Sequence, residues 1–475
     1  MAASQQTAAI RRVAIIGGGV AAWMTAAFLR RNIPSGIDIT VAGEAREPVA
    51  DALYGAVLPP EFYTLHSEIG VDEPTLLART GAGFAFGTHL AGWGEARRDW
   101  VQPFHLPLSA QNGVPVHILV AQDPQASLQP LLVSAVAAQA GRFAHPPEGG
   151  DHPLARAEYG YIIDPAELSA LYREQAGVSH SAGSVEAVER EGEDVRAIVL
   201  STGQRVEADL FIDATGSEAR LLGTAGEADR TVRYGVERQG VRTGLRQPCA
   251  HVTASDHGWA VEATSRSLHL RVAVGGGGEA FGAGLRGPSW RGNVIGVGQS
   301  ACAVEPLTVA PLRLLLRDVR RVADLFPVST RMEVERREFN AAASDDQVNA
   351  LVFHHAHFHD VALPDAPYWR DAAGWTHERL SRKLGQYRER AYLVNFDFEP
   401  FYALDWAVLH DGLGRTPRRT DALARAAGAD ALPRLAARAR QIQQAVAKLP
   451  PHPVYVSKLL DYLARKTQAG ERHAG

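Results

Sequence analysis

Val13-Ala14-Ile15-Ile16-Gly17-Gly18-Gly19-Val20-Ala21-Ala22-Trp23 runs an apolar strand through a glycine turn and directly into a helix. That order of elements suits a diphosphate. Gly17 permits the tight turn, Gly19 lets backbone approach the phosphates, and small Ala22 packs helix on strand, while the amides and dipole of the helix start face the anion. Ala22 stands where a third glycine is usual. A second strand should follow and close on an acid for a ribose hydroxyl, and Ile37-Asp38-Ile39-Thr40-Val41-Ala42-Gly43-Glu44 supplies Glu44 at the expected distance of about 20 residues. The apolar helix positions Trp23, Ala26, Ala27 and Leu29 read as core. A rival glycine pattern at Gly282, Gly284 and Gly287 lacks the context. Pro288, Ser289, Trp290 and Gly292 follow it in place of an amphipathic helix, so it reads as a flexible connection between strands.

Composition bounds the class. The 475 residues are 46% hydrophobic, enough for a large core and for two or three structural units. A net charge of −4 with mixed signs gives no footprint for nucleic acid or an anionic membrane. No apolar run is long enough to span a bilayer and the start of the chain lacks a signal-peptide pattern, so a cytoplasmic protein is expected. Cys249 and Cys302 are too few for a disulfide framework or a cysteine metal site.

Beyond the first βα unit the pattern departs from plain doubly wound alternation. Residues 82–108 read as extended and 252–275 as alternating strands. The run Tyr159-Gly160-Tyr161-Ile162-Ile163 passes through Asp164-Pro165, a cap and first turn, into a helix ending near Ala176. A strand meander over 185–212 ends in Asp213-Ala214-Thr215-Gly216. Residues 311–326 read as helix, and helix formers dominate from about Met332, strongly so over 422–449. The expected fold is α/β, a glutathione-reductase-type Rossmann fold with an interleaved β-sheet substrate domain over 1–330. A helical C-terminal region over 331–466 covers the substrate, and a flexible tail occupies 467–475.

Two further segments, Asp209 to Gly216 and Gly292-Asn293-Val294-Ile295-Gly296-Val297-Gly298-Gln299-Ser300-Ala301-Cys302-Ala303-Val304-Glu305-Pro306-Leu307, each deliver a small-residue turn from an apolar strand. With them the chain resembles the flavin-dependent tryptophan halogenases, relatives of single-component flavin monooxygenases. The resemblance runs nearly end to end. It includes Leu65 to Glu73, Gly92-Trp93, Pro103-Phe104, Tyr159-Gly160-Tyr161, Pro367-Tyr368-Trp369-Arg370 and Leu449-Pro450-Pro451-His452. It implies noncovalent FAD held by Gly17, Gly19, Val20, Ala21, Ala22, Glu44, Asp213, Gly216, Gly298, Gln299 and Pro306. It also implies reduced flavin from a separate reductase, consistent with the lack of a second domain for NAD(P)H, and leaves room for a homodimer.

The departures fall on the chemistry. The resemblance implies a lysine for the oxidised halogen species, which spacing from Trp93 places at Ala85. It implies a glutamate after Glu-Pro-Leu, where this chain has Thr308, and a halide turn that here reads Ala310-Pro311, proline having no N–H to offer. The family's Gly-Glu-Ala-Thr reads Gly55-Ala56-Val57-Leu58, and its Trp-x-Trp-x-Ile-Pro reads Trp259-Ala260-Val261-Glu262-Ala263-Thr264. Conventional halogenation is therefore not expected. The leading reading is a flavin-dependent oxidoreductase of the monooxygenase kind acting on an aromatic, indole-like or peptide-borne substrate. A noncatalytic partner or carrier protein with weak or absent flavin binding, and a halogenase with an unconventional site, are the alternatives. His89 is the acid-base candidate, with a structural role as its competitor, and Trp93, Trp259 and Trp369 are the substrate candidates. Trp100, Phe104 and Tyr368 could line an aromatic pocket, although aromatics at such positions are commonly core. His354, His355, His357 and His359 have helix spacing compatible with a metal pair but read better as surface or core histidines.

Overall fold

The computed structural model describes residues 8–44, 48–123, 125–149, 151–223, 228–241, 245–419, 421–428 and 430–474. Its centre is a sheet in which Arg12–Ile16 lies parallel between Leu210–Asp213 and Asp38–Ala42. Val294–Gly296 and Ser179–Ser181 extend it in parallel on either side, and Trp290–Arg291 adds an antiparallel edge. Leu210–Asp213, expected at the end of a meander, thus leaves the small antiparallel sheet of 185–207 and enters the nucleotide sheet.

The helix Val20–Asn32 lies behind the glycine turn and buries every side chain from Val20 to Leu29. Such all-round burial follows from its being covered on several sides, by Pro165–Ala176 and Ala310–Asp324 among others. Asp164 caps Pro165–Ala176 by accepting from the Ala166 amide.

A second sheet of eight strands is drawn from two distant stretches, 87–103 and 230–303. Leu268–Val274 alternates buried and half-buried positions, the signature of a strand with one face on the core. The rival glycine segment belongs here: Gly282 and Gly284 lie inside the strand Glu279–Leu285, Gly282 opposite Thr231 of Arg230–Gly240 and Gly284 opposite Ala303, where the sequence pattern predicts a connection. Gly284 has φ +110°, and a Cβ there would lie 2.4 Å from Asp229, so glycine is required by local packing. From Glu333–Ala356 onward the described elements are helical. Residue 330, the expected division, lies in the connection between the helices Ala310–Asp324 and Glu333–Ala356. The last helix spans His452–Ala474, and the tail expected over 467–475 lies outside the residues described in full. Among the described residues, no helix is long and apolar enough to cross a membrane.

Candidate functional site

Three chain segments meet at the glycine turn. Gly17 donates to the Ala42 carbonyl at 2.9 Å and Ala214 donates to the Ile16 carbonyl at 2.9 Å. Gly17 has φ +143°, and a Cβ on it would sit 2.5 Å from the Ala214 carbonyl oxygen, so any side chain would break the junction. Gly19 is the N-cap of Val20–Asn32 and offers no side-chain cap. The helix start therefore looks outward for an acceptor. The Val20 amide donates to Asp51 at 3.1 Å, a buried carboxylate at the end of the short helix Pro48–Asp51. Glu44, just past Asp38–Ala42, is exposed.

Asp213 is fully buried at the end of Leu210–Asp213. Its carboxylate accepts from the amide and hydroxyl of Thr215, from the amides of Leu221 and Leu222, and from the Ser300 hydroxyl. Ser300 also donates to the Gly216 carbonyl at 3.1 Å. Asp213 is thus occupied in tying the Gly216 turn to the 298–300 turn. At that second turn Gly298, with φ +58°, donates to Asp318 at 2.9 Å, while the Gln299 amide donates to the Tyr54 hydroxyl at 3.2 Å. Burial pushes the Asp318 carboxyl up to about 7. The Gln299 side chain is 1% exposed, and neither its Oε1 nor its Nε2 has a partner. An interior amide with nothing to bond costs about 1–3 kcal/mol, which marks the turn as built to face a polar group.

Pro306 and Gly55 face each other across a small internal space of about 20 Å³, closed by Tyr54, Thr308 and Val309 on one side and by Thr88 and Ala250 on the eight-stranded sheet. Its walls are otherwise apolar. Thr308 spends its hydroxyl accepting from the Ala310 amide at 3.2 Å, at the start of a helix with Pro311 in its first turn. Ala85 is fully buried in a strand paired with Gly160–Ile162 and does not line this space.

Thr88, Leu307, Thr308 and Val309 also line a second space that continues to Phe104, Arg313 and Asp405. That space adjoins a cleft of about 490 Å³ bearing Glu61, Glu158 and Tyr402. Arg313 is buried between Glu61 at 2.9 Å and Asp405 at 3.7 Å, donates to the Pro400 carbonyl, and lies over the Phe401 ring. Burial and the neighbouring Glu61 push the Glu158 carboxyl up.

The sequence-derived acid-base and substrate candidates lie elsewhere. Thr88 faces the cavity beside Ala250, so alternation turns His89 to the other face of the sheet, where its Nδ1 is 3.3 Å from that of His251. Burial lowers the pKa of both histidines. Trp93, Trp259 and Trp369 are buried, and each indole N–H is spent on protein: the His357 carbonyl, the Tyr368 hydroxyl and the Ser255 carbonyl. Trp100 is likewise fully buried, whereas Phe104 does line the path from Thr308 to the outer cleft. Of the histidine cluster, His355 donates to the Ala372 carbonyl and stacks on Trp375, and His357 is held by its own helix. No group of three His, Cys, Asp or Glu among the described residues is placed to hold a metal.

One constellation had no signal in spacing. Glu305, fully enclosed, meets Arg230 at 2.9 Å and accepts from the Tyr368 hydroxyl at 2.5 Å, which in turn accepts from Trp259 Nε1 at 2.6 Å. Burial alone would raise the Glu305 carboxyl, but His354, Arg230 and Tyr368 hold it at about 2. This charge anchors the Glu-Pro-Leu turn from behind.

The comparisons agree with this architecture. The flavin-dependent halogenase BrvH from Brevundimonas sp. BAL3 superposes with a TM-score of 0.84 at 24% identity, covering 95% of this chain and 99% of that one. Xcc4156, a flavin-dependent halogenase from Xanthomonas campestris, gives 0.83 at 23% identity, covering 95% and 98%. By sequence, the chain is 23% identical over 421 residues to tryptophan 6-halogenase ThaL from Streptomyces albogriseolus, covering 76% of this chain and 78% of the relative. It is 22% identical over 437 residues to tryptophan 7-halogenase RebH from Lentzea aerocolonigenes, covering 76% and 78%. The tryptophan halogenase family model matches residues 12–275 and 260–429. The chain belongs to the tryptophan halogenase family.

Proposed function

We propose that the protein is an FAD-binding oxidoreductase of the monooxygenase kind, fed with reduced flavin by a separate reductase. Its substrate is an aromatic, indole-like or peptide-borne group, and it is not a conventional halogenase. The residues fit the cofactor. Gly17 and Gly19 shape the turn, the helix start at Val20, Ala21 and Ala22 faces the diphosphate, and Glu44 serves the ribose. Gly216 and Gly298 shape the neighbouring turns that Asp213 ties together, and Pro306 flanks the cavity. The unpartnered amide of Gln299 is the observation that favours a polar cofactor here. When bound, FAD supplies the redox chemistry, and the protein positions, excludes water and places charge.

What supports a chemistry other than halogenation is the lining of the space beside Pro306. Its polar side chains are Tyr54, Thr88 and Thr308, the last engaged by the Ala310 amide, and neither an amine nor a carboxylate lines it. Residues of that kind orient a substrate and keep water out, whereas handling a halogen oxidant would call for the lysine and glutamate that Ala85 and Thr308 replace. Glu158 and Arg313 in the outer cleft are the groups that would align the rest of the substrate.

A second reading, a noncatalytic homologue acting as partner or carrier, is favoured by Asp51, an anion already seated on the helix start. The test is turnover with an added flavin reductase, NADH, bromide and a panel of indoles and aromatic peptides, followed by mass spectrometry. An oxygenated product without bromine is expected. A brominated product would overturn the non-halogenating reading, and no product with any substrate would favour the partner reading.

A further inference from the structure

We propose that the pocket beneath the helix Ala431–Ala447 is a binding site for a small apolar carboxylate, independent of the flavin cavity. The pocket encloses about 280 Å³, at the small end of ordinary ligand sites, which run about 300–1,000 Å³. Its floor is formed by Val116, Leu131, Val133, Leu435 and Ile442, all buried. Arg156, Arg434 and Arg438 stand on its walls, and no Asp or Glu lines it.

Two of the three cations are poorly matched by the protein itself. Arg434 and Arg438 are four residues apart on one helix face, where like charges repel. Arg434 turns back to Asp430, and Arg438 forms no ion pair among the described residues. Arg156 donates one terminal nitrogen to the Pro107 carbonyl, while its Nε is enclosed without a partner. An acceptor from outside would relieve Arg156 and Arg438.

The occupant's class follows from combining the two surfaces. A bare inorganic anion would leave the apolar floor wet, a neutral apolar molecule would leave the guanidinium groups unmatched, and an amine would be repelled. A carboxylate on a short alkyl or aryl body satisfies both. His105, which lines this pocket and the cleft beside Arg313, is buried with its pKa lowered to about 4, so it adds a neutral ring rather than a charge.

Calorimetric titration of the full chain with octanoate, octylamine and 1-octanol tests the assignment. Octanoate is expected to bind saturably at one site, with octylamine and octanol at least about tenfold weaker, a difference of about 1.4 kcal/mol. Arg438→Glu, a half-buried position at the pocket wall, should weaken octanoate at least about tenfold while thermal melting stays unchanged, and Arg438→Lys should weaken it less. Absence of octanoate binding, octanol binding as tightly as octanoate, or an Arg438→Glu variant with unaltered affinity would each overturn the proposal. None of these outcomes depends on whether flavin binds.

Discussion

Replacing Asp51 by Asn should tighten FAD binding, because Asp51 places a carboxylate on the helix-start amide that the proposed site offers to the diphosphate. Its Oδ2 lies 3.1 Å from the Val20 nitrogen, at the positive end of a helix with no acidic residue in its own first turn. A phosphate bound at the same helix start must displace this oxygen or lie close beside it. Two unit charges about 5 Å apart at an effective dielectric of about 20 repel by roughly 3 kcal/mol, and solvent reaching the turn lowers this. Asn keeps an oxygen that accepts from Val20 and is as good a cap as Asp, so the fold should survive with little loss. Removing the charge while keeping the acceptor is then worth about 1–3 kcal/mol to FAD, or roughly 5- to 150-fold in Kd. Flavin fluorescence quenching on wild type and Asp51→Asn reads the ratio, and competition by ADP shows whether the gain lies at the diphosphate. An affinity unchanged within about twofold, or weaker, would refute the view that Asp51 competes with the cofactor.

Further outcomes are expected. Gly17→Ala places a methyl group 2.5 Å from the Ala214 carbonyl at φ +143° and should destabilise the protein by at least about 2–3 kcal/mol while abolishing flavin binding, and a melting curve matching wild type would contradict that junction. Asp318 has its folded pKa raised to about 7 against 3.8 for an ordinary Asp. The native state therefore holds this proton more tightly than the unfolded chain, and the group makes stability fall as pH rises from about 4 through about 7. Urea melts of Asp318→Asn should gain on wild type across that window, and a constant difference would exclude the assignment. Ala85→Lys together with Thr308→Glu should give no brominated tryptophan, because the introduced amine would enter a fully enclosed position and Pro311 still lacks an N–H, so detecting that product would show that the altered turn is no barrier.

What the sequence revealed was what short-range pattern controls. The strand, glycine turn and helix of 12–32, the Asp164 cap and the alternation of 268–274 are set by neighbours along the chain, and each is found where its pattern placed it. The contacts that give the site its character span long separations: Asp51 on Val20, Asp318 on Gly298, and Tyr368 on Glu305 across 63 residues. Nothing in local spacing announces them. The same limit applies to His89, whose side of the sheet depends on which face Thr88 presents to Ala250. It applies also to Trp93, Trp259 and Trp369, whose aromatic character suits a pocket or a core equally until their N–H partners are known. Gly282 and Gly284 read as a connection because the turn formers Pro288, Ser289, Trp290 and Gly292 follow them in place of a helix, yet they lie in a strand, where close packing against Asp229 makes glycine the residue that fits at 284.

The most direct test of the central claim is a titration of the purified protein with oxidised FAD, repeated anaerobically with reduced FAD. Saturable binding of at least one form is predicted from the Gly17 turn and the waiting amide of Gln299, and tighter binding of the reduced form from the proposed supply of reduced flavin by a separate reductase. Absence of binding to both forms would contradict the account and make the nucleotide fold a scaffold for protein partners.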